Sequence, residues 1–326
     1  NESRLEIVIY ALALGTLIRG CENVGVVDFR KHMEFNREFY FLFGKKLITF
    51  CVTVPAAFML RNHWALVIGI LVGRFAGVAL SYLMHAYRPR LSLAARHELF
   101  HFSKWLFLNN ILTFARIRSA DFVIGRIMGT QSLGLFSVAY EIANLPTSEL
   151  IAPINRAVFS GYAKMSGDLA VLRRGFLNVM SVIALFALPA GAGVAATADL
   201  IVGVFLGENW LAAAPLIQLL AVFGVMSAMQ TNTAYVYLAM GKPQIITAIY
   251  VPYVTGLILA LVFMVGEYGV IGAAWAYVGC ETVIIPVAFT IIMLKLRIRV
   301  GQILAIFWRP LLATALMFFL VRDVIG

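Results

Sequence analysis

Long apolar runs separated by short polar breaks constrain this chain more than any other feature. They fall at about residues 5–20, 39–60, 63–87, 103–125, 132–159, 172–197, 210–239, 244–266, 268–294 and 303–322. A helix of roughly 20 apolar residues crosses a hydrocarbon core about 30 Å thick, so each run has the length of a membrane span. Inside lipid every backbone N–H and C=O must be satisfied within the protein, which leaves helices or closed barrels. Barrel strands would alternate in polarity over about ten residues, and these runs do not. Composition agrees: 62% of residues are apolar and 13% charged, where a soluble domain carries roughly 25% charged. Mean hydropathy is +0.90. The expected fold class is an all-α integral membrane protein of about ten transmembrane helices.

The breaks carry the orientation, because Lys and Arg collect in cytoplasmic loops. Arg30, Lys31 and Arg37 fall in one break, Arg88, Arg90, Arg96 and Lys104 in the next but one, then Lys164, Arg173 and Arg174, then Lys242, then Lys295, Arg297 and Arg299. The intervening breaks and the C-terminal end contribute Arg61 and Arg322. Fourteen against two fixes the basic side as the expected cytoplasmic side. The net charge of +10 is then a topology signal with some attraction to anionic membrane lipid, and no nucleic-acid partner is expected.

No break opposite the basic side exceeds about a dozen residues, which leaves no room for the loops that carry catalytic carboxylates or histidines in membrane glycosyltransferases, polymerases and ligases. The chain also lacks GxxxxGK[ST], HExxH, a nucleophile elbow and a DxD-like carboxylate pair, so neither ATP hydrolysis nor other enzymatic chemistry is expected. Cys21, Cys51 and Cys280 are far apart and read as small apolar residues. The five histidines have no ligand spacing, so no metal site is expected. The stretch GVVDFRKHMEF alternates charge with apolar residues and reads as an interfacial amphipathic helix.

Charges and amides inside spans cost about 2.5 to 3.5 kcal/mol each to insert and so mark candidate sites. The stretch NNILTFARIRSADFVIGR is densest. On a helical wheel its Asn110 and Asp121 lie within about 20° of each other, with Arg118 roughly 60° to one side; Arg116 lies deep in the same run. Arg118 and Asp121, three apart, also have the spacing of an intrahelical pair. In YEIANLPTSELIAPINR, Glu141, Asn144, Ser148 and Asn155 share about one face, and Pro146 and Pro153 are expected to break the helix. Arg74 lies mid-run in GRFAG, Glu281 mid-run near the C-terminus, and Gln230, Thr231 and Asn232 form a polar patch. The substrate-cavity candidates are thus Arg74, Asn110, Arg116, Arg118, Asp121, Glu141, Asn144, Asn155, Gln230 and Glu281. Lys45, Lys46, Arg126, Arg156 and Arg309 lie near run ends, where snorkelling to headgroups is expected.

The stretch from Phe102 to Met165 resembles the polysaccharide transporter (Wzx-type oligosaccharide flippase) branch of the multidrug/oligosaccharidyl-lipid/polysaccharide exporter superfamily. The resemblance rests on Asp121, Gly125, Arg126, Gly129, Leu133, Gly134, Ala139, Ala143, Pro146, Pro153, Ile154, Arg156 and Phe159. FRKHMEF and the later WALV at 64–67 resemble that family's first lobe. Phe136 stands where the family usually has Tyr, and Ser160 where it often has Pro.

The resemblance implies two six-helix lobes of a 12–14 helix exporter facing each other across a central cavity. Residues 1–87 would be the back half of the N-terminal lobe, 88–102 a cytoplasmic linker, 103–294 the complete C-terminal lobe, and 295–326 an additional helix. The chain begins at Asn1 without an initiator Met, and the expectation is a longer protein in which three helices precede it. The implied substrate is an oligosaccharide on an isoprenoid pyrophosphate, moved across the bacterial inner (cytoplasmic) membrane for capsule, exopolysaccharide or O-antigen assembly. A polysaccharide polymerase and chain-length proteins are the implied protein partners. Arg74, Arg116 and Arg118 would receive the pyrophosphate through bidentate contacts, and Glu141 or Asp121 is the candidate for proton or cation coupling. No cofactor is expected. A drug or metabolite exporter of the same superfamily, a peptidoglycan-precursor flippase and, further off, a membrane sugar polymerase or ligase are the rival functions.

Overall fold

Backbone groups in lipid have only their own helix for partners, and the computed structural model, which describes residues 2–89 and 96–325, is helical throughout with no strand among the described residues. The chain divides into two compact units, Asn1–Ala95 and Arg96–Gly326.

The first unit holds α1 (Glu2–Gly20), α2 (Val27–Lys31), α3 (Phe35–Leu60) and α4 (Trp64–Met84). The chain turns by 71° between α1 and α2, so the short amphipathic helix read from GVVDFRKHMEF is α2. Buried Asn23 holds this bend: its side chain accepts from Gly25 N–H at 2.9 Å, its amide donates to the Tyr87 carbonyl at 2.8 Å, and its backbone N–H donates to Ser81 Oγ at 2.9 Å. The Arg61 backbone turns left-handed, φ 50°, to close the tight connection from α3 to α4. Small residues then let those two helices approach closely. Gly69 and Gly73 of α4 face Thr53 and Thr49 of α3, and a Cβ at Gly73 would lie 2.1 Å from Thr49 Oγ1.

The second unit runs through α5 (Arg96–Ile127), α6 (Gly129–Pro146), α7 (Ala152–Met165), α8 (Leu169–Ala196), α9 (Ala198–Ile201), α10 (Ala214–Ala239), α11 (Pro243–Leu296) and α12 (Val300–Ile325). A π-helical turn, Thr147–Ile151, joins α6 to α7, where Pro146 and Pro153 each remove a backbone donor. Asp168 caps α8, accepting from Ala170 N–H at 2.7 Å. Within the 54-residue α11, Gly269 takes φ 65°, ψ −148° and separates two helical halves. They fold together so tightly that a Cβ on Gly272 would lie 2.0 Å from the Met264 carbonyl oxygen. The core is fully buried Phe176, Met180 and Ile183 of α8, Leu220 of α10, and Leu257, Tyr277 and Ile292 of α11. α12 packs on α8 in the same unit.

Within each unit, alternate breaks meet. In the first, Asn23 just after α1 donates to the Tyr87 carbonyl just after α4 at 2.8 Å, while Ile7 lines one cavity with Asn62, His63 and Trp64. In the second, Arg173 donates to the Arg297 carbonyl at 3.3 Å, joining two basic breaks. Gly269 approaches Met128, joining the break around Glu267 to the one that follows residue 125.

Among the described residues, six helices are long and apolar enough to cross a membrane, or seven counting the bent pair at α1 and α2. The protein is a multi-pass membrane protein. The expected number of about ten spans exceeds that count. Three features account for the difference: α11 is counted once although Gly269 breaks it, the polar residues of α5 keep it out, and the π turn Thr147–Ile151 divides the run at 132–159 into α6 and α7, neither of which qualifies alone. Large apolar side chains such as Phe58, Leu83 and Phe205 lie on the outer surface, as a lipid-facing surface requires.

Candidate functional site

The site is built on α5. Residues seven apart on a helix return to the same face, and Asn109 and Arg116 turn inward together. Asn109 is buried, accepts from Thr247 Oγ1 at 2.8 Å and donates to the Pro243 carbonyl at 3.1 Å, tying α5 to the start of α11. Arg116 donates to Ser227 Oγ of α10 at 3.1 Å, and its own carbonyl accepts from Tyr277 Oη at 2.8 Å. Its guanidinium carbon stands 5.9 Å from the Phe223 ring centre, within cation–π range. Phe136, Tyr140, Phe223 and Tyr277 pack their rings together with centroids 4.9–6.2 Å apart.

Glu281, on the second half of α11, has no solvent exposure. Arg116 and Glu281 lie within reach of each other's charge, and Tyr253 lies beside Glu281. Arg116 Nε, Tyr253 Oη and both Glu281 oxygens are buried without a hydrogen-bond partner among the described residues. Gln230 is 2% exposed with its Nε2 likewise unpartnered. Its neighbour Asn232 accepts from Tyr162 Oη at 3.1 Å.

Arg118 belongs to another face. Two residues on from Arg116 is a rotation of about 200°, and Arg118 points outward, where it pairs with Asp121 at 2.8 Å; their side chains are 57% and 29% exposed. The intrahelical pairing that the spacing allowed is thus present. Exposed Glu141 of α6 lies within reach of the Arg118 charge. Asn110 is also exposed. Asn144 donates to the Tyr140 carbonyl of its own helix at 2.8 Å. The Asn155 side chain lies outside the described residues.

Arg74 sits in the first unit. It reaches from α4 to α1, donating to the Leu12 carbonyl at 2.8 Å and to Thr16 Oγ1 at 2.9 Å. Gly15 makes this crossing possible, because a Cβ there would lie 2.8 Å from Arg74 Nη1.

The candidates therefore form three groups: a buried centre around Arg116, Gln230 and Glu281, an outward cluster of Arg118, Asp121 and Glu141, and an inter-helix strut at Arg74. Asn109, Ser227, Tyr253 and Tyr277 belong to or support the buried centre and were not among the sequence candidates. The seven-residue interval from Asn109 to Arg116 is the signal that finds the first of them. Chemically, Arg118 offers a reachable guanidinium to an anion, whereas the Arg116 charge is opposed from within by Glu281.

The match to the polysaccharide biosynthesis protein family covers residues 1–215. Among curated relatives, the teichuronic acid biosynthesis protein TuaB of Bacillus subtilis is 28% identical over 199 residues, 60% of this chain and 40% of that protein. The lipopolysaccharide biosynthesis protein WzxC of Escherichia coli is 29% identical over 205 residues, 60% of this chain and 41% of that protein. The chain thus spans about two fifths of the length of these relatives. In fold it is similar to the lipid II flippase MurJ in an inward closed conformation, with a TM-score of 0.64 at 13% identity, over 97% of this chain and 71% of that one. With its family match extending over well more than half of its residues, the chain belongs to the polysaccharide biosynthesis protein family.

Proposed function

We propose that this chain is part of a transporter that flips an isoprenoid-pyrophosphate-linked oligosaccharide across the bacterial cytoplasmic membrane for capsule, exopolysaccharide or O-antigen assembly. The observation that carries the reading is the family match over residues 1–215 in a chain whose fold is that of a lipid II flippase. The physical problem suits such a fold: the pyrophosphate is the charge that cannot enter hydrocarbon, and a polar path through protein replaces its water. Arg118 is the guanidinium placed to meet it, with Asp121 and Glu141 keeping the cluster from holding the anion too firmly. Asp121 or Glu141 is also the outward-facing candidate for proton or cation coupling. Asn110, exposed on the same helix, supplies an amide for sugar hydroxyls. The basic breaks face the cytoplasm in this reading, and a polymerase and chain-length proteins act downstream.

The peptidoglycan-precursor flippase stays as the second reading because the fold likeness is to a lipid II flippase. Deleting the gene separates the two. Loss of surface polymer with lipid-linked repeat units accumulating inside the cell, and with normal cell-wall growth, is the expected result. Arrested wall synthesis would favour the second reading, and unchanged surface polymer would contradict the first.

A further inference from the structure

Glu281 has no part in the substrate route just proposed, yet its placement needs a reason. It lies in the interior of a membrane helix with no exposure, and neither oxygen has a hydrogen-bond partner among the described residues. An isolated carboxylate in such surroundings is very costly, and intramembrane ionisable groups mark function by default. Every element packed around it contributes to its setting. Within reach of its charge lie Arg116 on α5, Tyr140 on α6, and Tyr250 and Tyr253 on the first half of α11, and Cys280 is its neighbour on the second. α10 contains no charged residue.

A second observation points to access. A cleft of about 290 Å³ lies between the two halves of α11, lined by Pro252, Tyr253, Gly256, Gly279, Cys280 and Ile284 among others. A Cβ at Gly256 or Gly279 would meet nothing within 4 Å, so the cleft is open at both glycines. Tyr253 is 4% exposed, with its hydroxyl unpartnered. It lines the cleft on one side and adjoins Glu281 on the other.

We propose that Glu281 is a proton-binding site of the second unit, loaded and unloaded past Tyr253 through the cleft between the halves of α11, with Arg116 as its fixed counter-charge. The step forms and breaks one O–H bond on the carboxyl, and the proton comes from and returns to bulk water, so nothing else is consumed. Ionised, Glu281 attracts Arg116 across the α5–α11 contact; with its proton on, that attraction is gone while Arg116 keeps Ser227 and the Phe223 ring. The two states therefore pull α5 differently. α5 also carries Arg118 and Asp121, which links the proton to the outward cluster. This inference rests on the transport reading for its purpose, but its chemistry is measured without transport.

The test is labelling of the purified full-length protein with dicyclohexylcarbodiimide, which adds to protonated carboxyls, followed by peptide mass spectrometry that reads the labelled fraction of the Glu281 peptide against its own unlabelled form. Glu281 should be modified, and above its midpoint the label should fall about tenfold per pH unit, as for any single titrating carboxyl. An infrared carboxyl C=O band should vanish over the same pH range and be absent from Glu281→Gln. Labelling that is absent, or flat from about pH 4 to 9, a span that begins at the ordinary carboxyl value and runs past that of histidine, overturns the proposal. The wild-type titration decides even if Glu281→Gln does not fold. A flat titration with polymer export intact would remove the proton site and leave the transport reading standing. A titrating Glu281 in a strain whose export never depended on the gene would do the reverse.

Discussion

Asn109 supplies two hydrogen bonds that fasten α5 to the beginning of α11. Asn109→Ala leaves a buried carbonyl and a buried hydroxyl without partners, a loss of about 1–3 kcal/mol. The measurement is the unfolding midpoint of the purified protein in detergent, which should fall. Arg118→Ala should behave in the opposite way. Its pair with Asp121 is a half-exposed i,i+3 contact, worth at most ~0.5 kcal/mol, so the unfolding midpoint should hardly move. Polymer export should nonetheless drop by about tenfold or more if one charge-assisted contact to the pyrophosphate is lost. Stability unchanged and export unchanged would remove Arg118 from the substrate route. These two residues also show what the sequence discloses at this scale. The helical wheel correctly separates residues into faces, but α5 has two polar faces, one through Asn109 and Arg116 and one through Asn110 and Asp121. Which of them turns inward depends on where α11 and α10 dock, and that is not written in α5 itself.

At the scale of elements, the α3–α4 contact depends on the absence of side chains. Gly73→Ala places a methyl group 2.1 Å from Thr49 Oγ1, and Thr49 cannot simply rotate away without giving up its 2.8 Å hydrogen bond to the Lys45 carbonyl. The expected loss is ~1–3 kcal/mol, typical of overpacking, and Thr49→Ala in the same chain should recover most of it by opening the space. A thermal-shift comparison of the two single variants and the double variant checks this. No recovery in the double variant would mean that the glycine serves something other than close approach. The four-residue spacing of Gly69, Gly73 and Gly77 is visible in the sequence, although its partner helix is not. The breaks were legible as well: Pro146 and Pro153 announce the interruption that becomes a π turn, because proline cannot donate a backbone hydrogen bond. The break in α11 is quieter. Gly269 marks it through a left-handed φ that only glycine adopts without strain.

For the whole molecule, the sequence carried the class of fold through run length alone, since lipid tolerates no other backbone solution. The charges of the breaks alternate because chain direction alternates, and within each unit the structure gathers alternate breaks together. The grouping of the polar residues was less accessible. Arg74, Arg116 and Arg118 look like one cationic set along the sequence, yet Arg74 is bound within the first unit, Arg116 is enclosed in the second, and Arg118 faces outward. Burial of a charge is decided by packing between helices, which hydropathy does not encode. The central claim is that the protein moves a lipid-linked oligosaccharide from one leaflet to the other. The direct measurement reconstitutes the full-length protein in vesicles with an isoprenoid-pyrophosphate oligosaccharide bearing a fluorescent sugar, under an imposed proton gradient, and adds an impermeant reductant that bleaches only the outer leaflet. The account predicts that inner-leaflet label, protected in protein-free vesicles, is bleached in vesicles containing the protein and protected again with Arg118→Ala. Equal protection with and without the protein would contradict it.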